Sequence, residues 1–298
     1  MRAAYLGRIV GGGLTVLTAL TGLGGCKSLQ NDANVVLPQY DNQLVLECYL
    51  EAGAVPKLTV TESVPYLSNG QAVSTQSQAL TLPNGQIVQL PTDVTVKLTL
   101  PSGQAVPLRF APGVDKATGK FYTHVGTAPI AAQVGQRFAI DVQDTRSRHI
   151  TGTAVVPTFI AIDSVGYKFN DLSGSNRKAY FFTKWTDPGA TTDYYRLMLH
   201  KGKPANNSET DNDITDRLFN GKPYKQVTSY RFYPGDTVTA TLYHLDSLYY
   251  SFRRSTAEAR NANGNPFAQP SSIRSTVQGG VGVFTVLVHD QKRVKLVP

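Results

Sequence analysis

Residues 93–100 read Asp-Val-Thr-Val-Lys-Leu-Thr-Leu, and their alternation decides the fold. Val94, Val96, Leu98 and Leu100 fall on one face of an extended chain, while Thr95, Lys97 and Thr99 fall on the other. Successive side chains of a strand point to opposite faces, so the segment predicts a half-buried antiparallel strand. The alternation returns at 137–144, "RFAIDVQD", through Phe138, Ile140 and Val142. It returns again at 44–50, "LVLECYL", through Leu44, Leu46, Cys48 and Leu50. In "LTLPNGQIVQL" (80–90), Asn84-Gly85 stands between two β-prone runs. That is a hairpin signal, because a type I′ turn needs positive φ at both central residues. Ser102-Gly103 offers a second turn. Residues 41–157 thus predict about seven short strands without a helix, a β-sandwich of immunoglobulin-like or transthyretin-like type.

Pro157 interrupts an extended run, and a second, C-terminal β domain is expected over 158–298. Its strands are aromatic: "KAYFFTKWTD" (178–187), "DYYRLMLHK" (193–201) and "GDTVTATLYHL" (235–245). "TDRLFNGK" (215–222) reads as one or two helical turns, with Thr215 as N-cap and Gly221 as terminator. A longer helix is predicted near 246–261. Asp246 caps it, Leu245, Leu248, Tyr249 and Phe252 form its apolar stripe, and Gly264 with Pro266 ends it. Two strands close the chain around "VQGGVGVFTVLVHD" (277–290), where the glycine pair marks a bulge or a close backbone approach. The whole is all-β with one embedded helix.

The N-terminus reads as an address. Arg2 and Arg8 precede an uncharged run, Ile9 to Gly25, that ends in small residues. This is the layout of a secretory signal, and the run is too glycine-rich for a spanning helix. Leu23-Gly24-Gly25-Cys26 resembles the bacterial lipobox, which implies removal of residues 1–25 and lipid on Cys26. Lys27 in place of Asp is compatible with sorting to an outer membrane, and residues 26–40 read as the lipidated start and a tether. With Cys26 lipidated, Cys48 has no partner and is expected as a small core residue.

Composition narrows the class further. An apolar content of 41% with 9% aromatics is globular. The charge of +8 and pI near 9.4 do not point to nucleic acid, because the basic residues are dispersed. The densest groups are Arg146/Arg148, Arg177/Lys178, Arg253/Arg254 and Lys292/Arg293/Lys295. A basic body beside an anionic membrane surface is the better physical reading.

Catalytic motifs are missing: there is no H-E-x-x-H, G-x-S-x-G, C-x-x-C or P-loop. Ser175-Asn176-Arg177-Lys178 matches S-x-x-K by letter but sits in a polar turn. His124, His149, His200, His244 and His289 are scattered, none at ligand spacing from another. In "SETDNDITD" (208–216), Glu209, Asp211, Asp213 and Asp216 gather hard oxygen donors, and Asp211, Asp213 and Asp216 are the metal candidates. The EF-hand pattern fails there, and a solvated loop leading into a helical turn is the alternative. No metal or cofactor is expected. Tyr194, Arg196, His200 and Trp185 are the candidates for contact with a ligand or partner; the alternative is that these rings pack the helix against the sheet.

The pieces together resemble a family. "LVLECYLEAGAVPKLTVTESVPYL" resembles the opening strands, and "NPFAQPSSIRSTVQGGVGVF" the closing signature, of the Bacteroidota lipoproteins grouped as domain of unknown function 4249. "FNGKPY" and "YPGDTVTATLYHLDSLYYSF" fit the family's middle. The resemblance implies an outer-membrane lipoprotein, often encoded beside a TonB-dependent receptor, and implies no reaction. "KSLQNDAN" lacks an acidic cluster after the cysteine, which leaves the periplasmic and outward faces of the membrane both open. Sequence and resemblance lead to two expectations. One is a non-enzymatic, lipid-anchored accessory protein in complex with a TonB-dependent transporter or another β-barrel. The other is a glycan- or peptide-binding lipoprotein that captures substrate itself.

Overall fold

Val96 and Leu98 are buried and Lys97 is exposed, as the alternation requires, in the computed structural model of the protein. The structure describes residues 42–63, 77–82, 85, 87–116, 118–204, 207–263 and 272–298. Cys26 and the tether, Asn84, Gly264 and Pro266 lie outside them. The first half holds nine strands rather than about seven: β1 (Leu44–Glu51), β2 (Lys57–Glu62), β3 (Ser77–Thr81), β4 (Ile87–Pro91), β5 (Thr95–Thr99), β6 (Ala105–Val114), β7 (Phe121–Val125), β8 (Arg137–Gln143) and β9 (His149–Val155). The second half adds β10 (Ile162–Phe169), β11 (Ala179–Thr186), β12 (Tyr194–Lys201), β13 (Ser208–Thr215), β14 (Pro223–Val227) and β15 (Thr237–Leu245). It closes with α1 (Ser247–Asn263), β16 (Val277–Gln278) and the long β17 (Val281–Lys295).

The protein is β-rich, with a sandwich-like arrangement of large sheets and one helix. Fourteen strands join in the order β13-β12-β15-β17-β1-β2-β7-β6-β5-β8-β9-β16, with the β3–β4 hairpin attached through β2. A second sheet runs β10-β11-β14. A β3–β4 hairpin does stand at the Asn84-Gly85 signal, with Thr81 opposite Ile87, and its loop is longer than the two-residue turn expected there. Gly85 closes a turn there, its N–H donating to Leu82 O at 2.9 Å with φ +82°.

Two cores result. Leu44, Leu46, Cys48 and Leu50, each at most 1% exposed, enter the first with Phe138, Ile140 and Val142. Burying such a side chain contributes about 1.5–3 kcal/mol. Burial also pushes the Cys48 thiol up to about 12, so it packs as a small apolar group. The second core gathers Phe181, Trp185, Tyr195, Leu197 and Leu242. β17 serves both: Phe284 and Val286 lie in the first, and Val294 packs on the second.

That double role rests on how β17 pairs. Its first half lies parallel to β1, from Val45 opposite Val281 to Glu51 opposite Leu287. Its second half lies antiparallel to β15, from His244 opposite Val288 to Thr237 opposite Lys295. The glycine pair expected to mark a close approach, Gly279-Gly280, does so, and Gly282 adds another that was not expected. A Cβ on Gly282 (φ +145°) would stand 1.9 Å from Leu46 O, and one on Gly279 (φ +78°) 1.9 Å from His149 O.

Asp246 caps α1 as expected, its Oδ1 accepting from the Tyr249 N–H at 2.8 Å while Oδ2 accepts from Thr285 Oγ1 at 2.8 Å. Tyr249 is buried with Leu245, Val283 and Leu287. Leu248 is not part of that face and is 59% exposed. Leu245 belongs to β15, so the helical phase begins after it, and Leu248 stands about 100° round the helix from Tyr249. The short helix read at 215–222 is a single 3₁₀ turn, Asp216–Leu218, and Thr215 makes no side-chain cap.

Gly282→Ala and Gly279→Ala are each expected to destabilise the protein by about 4 kcal/mol or more, because carbonyl oxygens occupy the needed space. Gly53→Ala, at φ +77° with nothing within 4 Å, should cost only about 1 kcal/mol. Urea unfolding midpoints of the three variants check the ordering.

Candidate functional site

β12 separates the four residues expected to act together. Tyr195, Leu197 and Leu199 point into the second core, and Tyr194, Arg196, Met198 and His200 lie on the other face. Trp185 belongs with the inward set and is fully buried. Its ring packs on Tyr195, Tyr224 and Phe219 at centroid distances of 5.4, 5.0 and 6.1 Å. Trp185 is therefore a core residue and not a ligand contact. The aromatic alternation of β11 has this outcome because its Trp face meets the inner face of β12.

Arg196 is committed as well. It donates from Nε and Nη2 to both oxygens of Asp211, each at 2.7 Å. Arg253 of α1 donates to Asp213 at 2.7 Å and to Asp211 at 3.1 Å. This chain of alternating charges joins the helix to β12 and β13. Burial would push the Asp211 carboxyl up, but the Arg196 and Arg253 guanidinium groups hold it below the usual range. Asp211 and Asp213 are thus ion-pair partners on a strand, not metal ligands in a loop. His200 is 3% exposed, and burial, reinforced by Arg196, pushes its pKa down.

Asp216 turns elsewhere. Its carboxylate meets those of Asp187 and Asp193, all three buried, with one oxygen of each lying within 4.8 Å of the others. Asp187 accepts from Tyr195 Oη at 2.5 Å and from the Gly221 N–H at 2.8 Å. Asp193 accepts from Thr191 Oγ1 at 2.9 Å and faces His244 Nε2 at 2.8 Å. Asp216 Oδ2 accepts from the Asp193 N–H at 2.8 Å. Among the described residues these three are the ones placed to hold a metal ion through oxygen. Sequence reading found Asp216 and missed the other two. The "DPGATTD" loop that carries them has acidic ends and turn residues, but nothing in it shows which distant strand it meets.

Tyr194 alone of the four candidates lines an open groove, of about 480 Å³. Tyr250 of α1 lies beside it, ring centroids 4.6 Å apart, and Arg217, Arg254 and Arg274 surround the pair. Those three arginines come from the turn after β13, from α1 and from the segment before β16. Sequence reading passed over the grouping because no two of them share an element. A second groove, of about 420 Å³, lies on the outer face of β1 and β2. Lys120 stands over Tyr49 there, Nζ 4.4 Å from the ring centroid, and Lys57 pairs with Asp115. No helix among the described residues is long and apolar enough to cross a membrane.

Fold and site define a β-rich protein with tyrosine-lined grooves open to solvent. The chain belongs to the family described as Domain of unknown function (DUF4249), whose model matches residues 31–293. None of the curated proteins compared with it matches. Among solved structures, it is similar to trypsin-activated alpha-2-macroglobulin from Escherichia coli at 9% identity and a TM-score of 0.24. That likeness covers 88% of this chain and 16% of the other, and at this score it assigns nothing.

The first core has its own buried charge, Glu62, whose side chain is fully buried and takes hydrogen bonds from Ser77, Arg146 and Arg148. Burial pushes its pKa up, but those three donors outweigh it and hold the pKa below the ordinary value. Arg148 also donates to Asp144 at 2.7 Å, and Asp144 is held low in the same way. A carboxylate with a depressed native pKa contributes stability that is complete above its unfolded value and lost as pH falls. The urea midpoint should therefore fall steeply below about pH 4. Glu62→Gln should cost about 1–3 kcal/mol at pH 7, by taking a charge from the part-buried Arg146 and Arg148, and should flatten the acid limb. Urea titrations from pH 7 to pH 3 on both proteins check this; equal acid limbs would remove Glu62 from the account.

Proposed function

We propose that this chain is a non-enzymatic, lipid-anchored binding protein of the outer membrane. On this reading it captures a small solute in an open groove and works beside a TonB-dependent transporter or another β-barrel. The observation that supports capture is the groove at Tyr194, since concave sites with a few convergent polar groups suit small ligands better than flat protein partners. Several buried or part-buried titratable groups support non-covalent work, because their contacts serve the fold. Asp211 and Asp213 tie α1 to the sheet, Glu62 joins β2 to the loop before β9, and Cys48 is buried and poorly ionised. The anchor rests on the lipobox-like Leu23 to Cys26, and the transporter on what the sequence resemblance implies.

A pull-down of the tagged lipoprotein from its native membrane in mild detergent tests the partnership. The expected result is one β-barrel recovered at near-equal amount with the wild type. Cys26→Ala should release the protein from the membrane fraction and lose the barrel. Recovery of the lipoprotein alone would remove the transporter from this reading, while leaving capture to be tested by binding.

A further inference from the structure

We infer that the groove at Tyr194 is a site for a sugar phosphate, its phosphate held by Arg217, Arg254 and Arg274 and its ring laid on Tyr194 and Tyr250. The inference rests on the groove being a binding site and is independent of where the protein resides. The charge of the lining carries it. Three guanidinium groups from three separate segments converge on one groove, against a single carboxylate, Glu258. Glu258 pairs only with Arg254, at 3.6 Å, and both are more than half exposed, an arrangement that holds little energy. Arg217 and Arg274 have no carboxylate partner among the described residues. Other arginines, such as Arg137 and Arg231, also lack a carboxylate partner among the described residues, so what sets the groove apart is that three guanidinium groups gather on it.

Two uncompensated cations match a phosphate monoester, which carries about −1.5 to −2 at pH 7. The guanidinium fork suits its oxygens in bidentate pairs, and a single carboxylate ligand would leave one cation unmatched. The backbone that carries Arg274 is also held in place. The Arg274 N–H donates to Ser255 Oγ at 2.9 Å, and that hydroxyl donates to Phe252 O at 2.9 Å, which pins the segment before β16 to α1. Tyr194 and Tyr250, both half-buried, offer flat apolar area with a polar edge, the surface on which a pyranose ring stacks. Ser251 and Thr215 on the rim add hydroxyls for the sugar's own. The groove's volume of about 480 Å³ lies within the usual range for small-molecule sites.

Isothermal titration of the detergent-solubilised lipoprotein tests the assignment with glucose 6-phosphate, glucose and inorganic phosphate. Saturable binding of glucose 6-phosphate is expected, with weaker phosphate binding and none by glucose. Arg217→Gln and Arg274→Gln should each weaken it about tenfold or more. Both side chains are exposed, so unchanged thermal unfolding would show that the fold is intact, and Lys97→Gln serves as the distant control. Tyr250→Ala should weaken glucose 6-phosphate but leave inorganic phosphate unchanged. Vesicles containing phosphatidylinositol 4-phosphate separate a lipid headgroup from a free sugar phosphate as the source. No saturable glucose 6-phosphate binding, or binding indifferent to both arginine substitutions, would overturn the inference. Glucose binding as tightly as its phosphate, with loss in Tyr250→Ala, would also overturn it yet leave capture in this groove standing.

Discussion

The parallel pairing of β1 with β17 is the constraint on which the other parts depend. Parallel neighbours cannot be joined by a tight turn, so the pairing brings together the first and last long strands of the described chain. It is possible because Gly282 lets the backbone of β17 reach the Leu46 carbonyl, where any side chain would collide. Once β17 is in that register, Phe284 and Val286 complete the first core, and the strand's far half aligns β15 for the second. Helix α1 then has a single seat. Tyr249 packs on Val283 and Leu287, and Asp246 spans from the helix N-terminus to Thr285. The groove at Tyr194 inherits its geometry from that seat, because α1 supplies Tyr250, Ser251 and Arg254 to it.

Charge divides the surface from the structure in a way composition could not show. The pairs Arg146/Arg148 and Arg253/Arg254 look alike in sequence as dispersed surface cations. In the fold, Arg146 and Arg148 close on Glu62, and Arg253 closes on Asp213, while Arg254 faces the groove. Removing one partner of a buried pair leaves an uncompensated charge, so such pairs fix one arrangement of the elements that carry them. The Arg196–Asp211–Arg253–Asp213 chain therefore sets where α1 lies along the sheet. Arg217 and Arg274 make no such pair among the described residues, and what distinguishes the groove is that they gather there with Arg254.

What was legible in the sequence followed from local period and turn chemistry. Alternation identified β1, β5, β8 and β12 and their buried faces, Asp246 identified the helix start, and the Gly279-Gly280 pair identified a close approach, though not the one at Gly282. What was not legible depends on partners distant in sequence. Trp185 and Tyr194 both lie on aromatic strands, and only the packing of one sheet on the other decides which ring is buried. Asp211, Asp213 and Asp216 look like one acidic run. Strand alternation sends Asp211 and Asp213 toward arginines, while the 3₁₀ turn carries Asp216 to Asp187 and Asp193. Leu248 failed as a core residue because β15 continues one residue further into the presumed stripe than periodicity alone reveals.

The proposed anchor and the proposed groove fit each other energetically. Guanidinium groups at the rim of an open groove are screened by salt within about 10 Å, so they give modest affinity and quick release. A soluble protein with such a site would capture a dilute solute poorly. A lipid on Cys26 would leave that affinity unchanged but would confine the protein to its partner's membrane, where the two meet more often. Weak capture then becomes an advantage, because a ligand that must be passed on is better held by exposed charges than by a closed cavity.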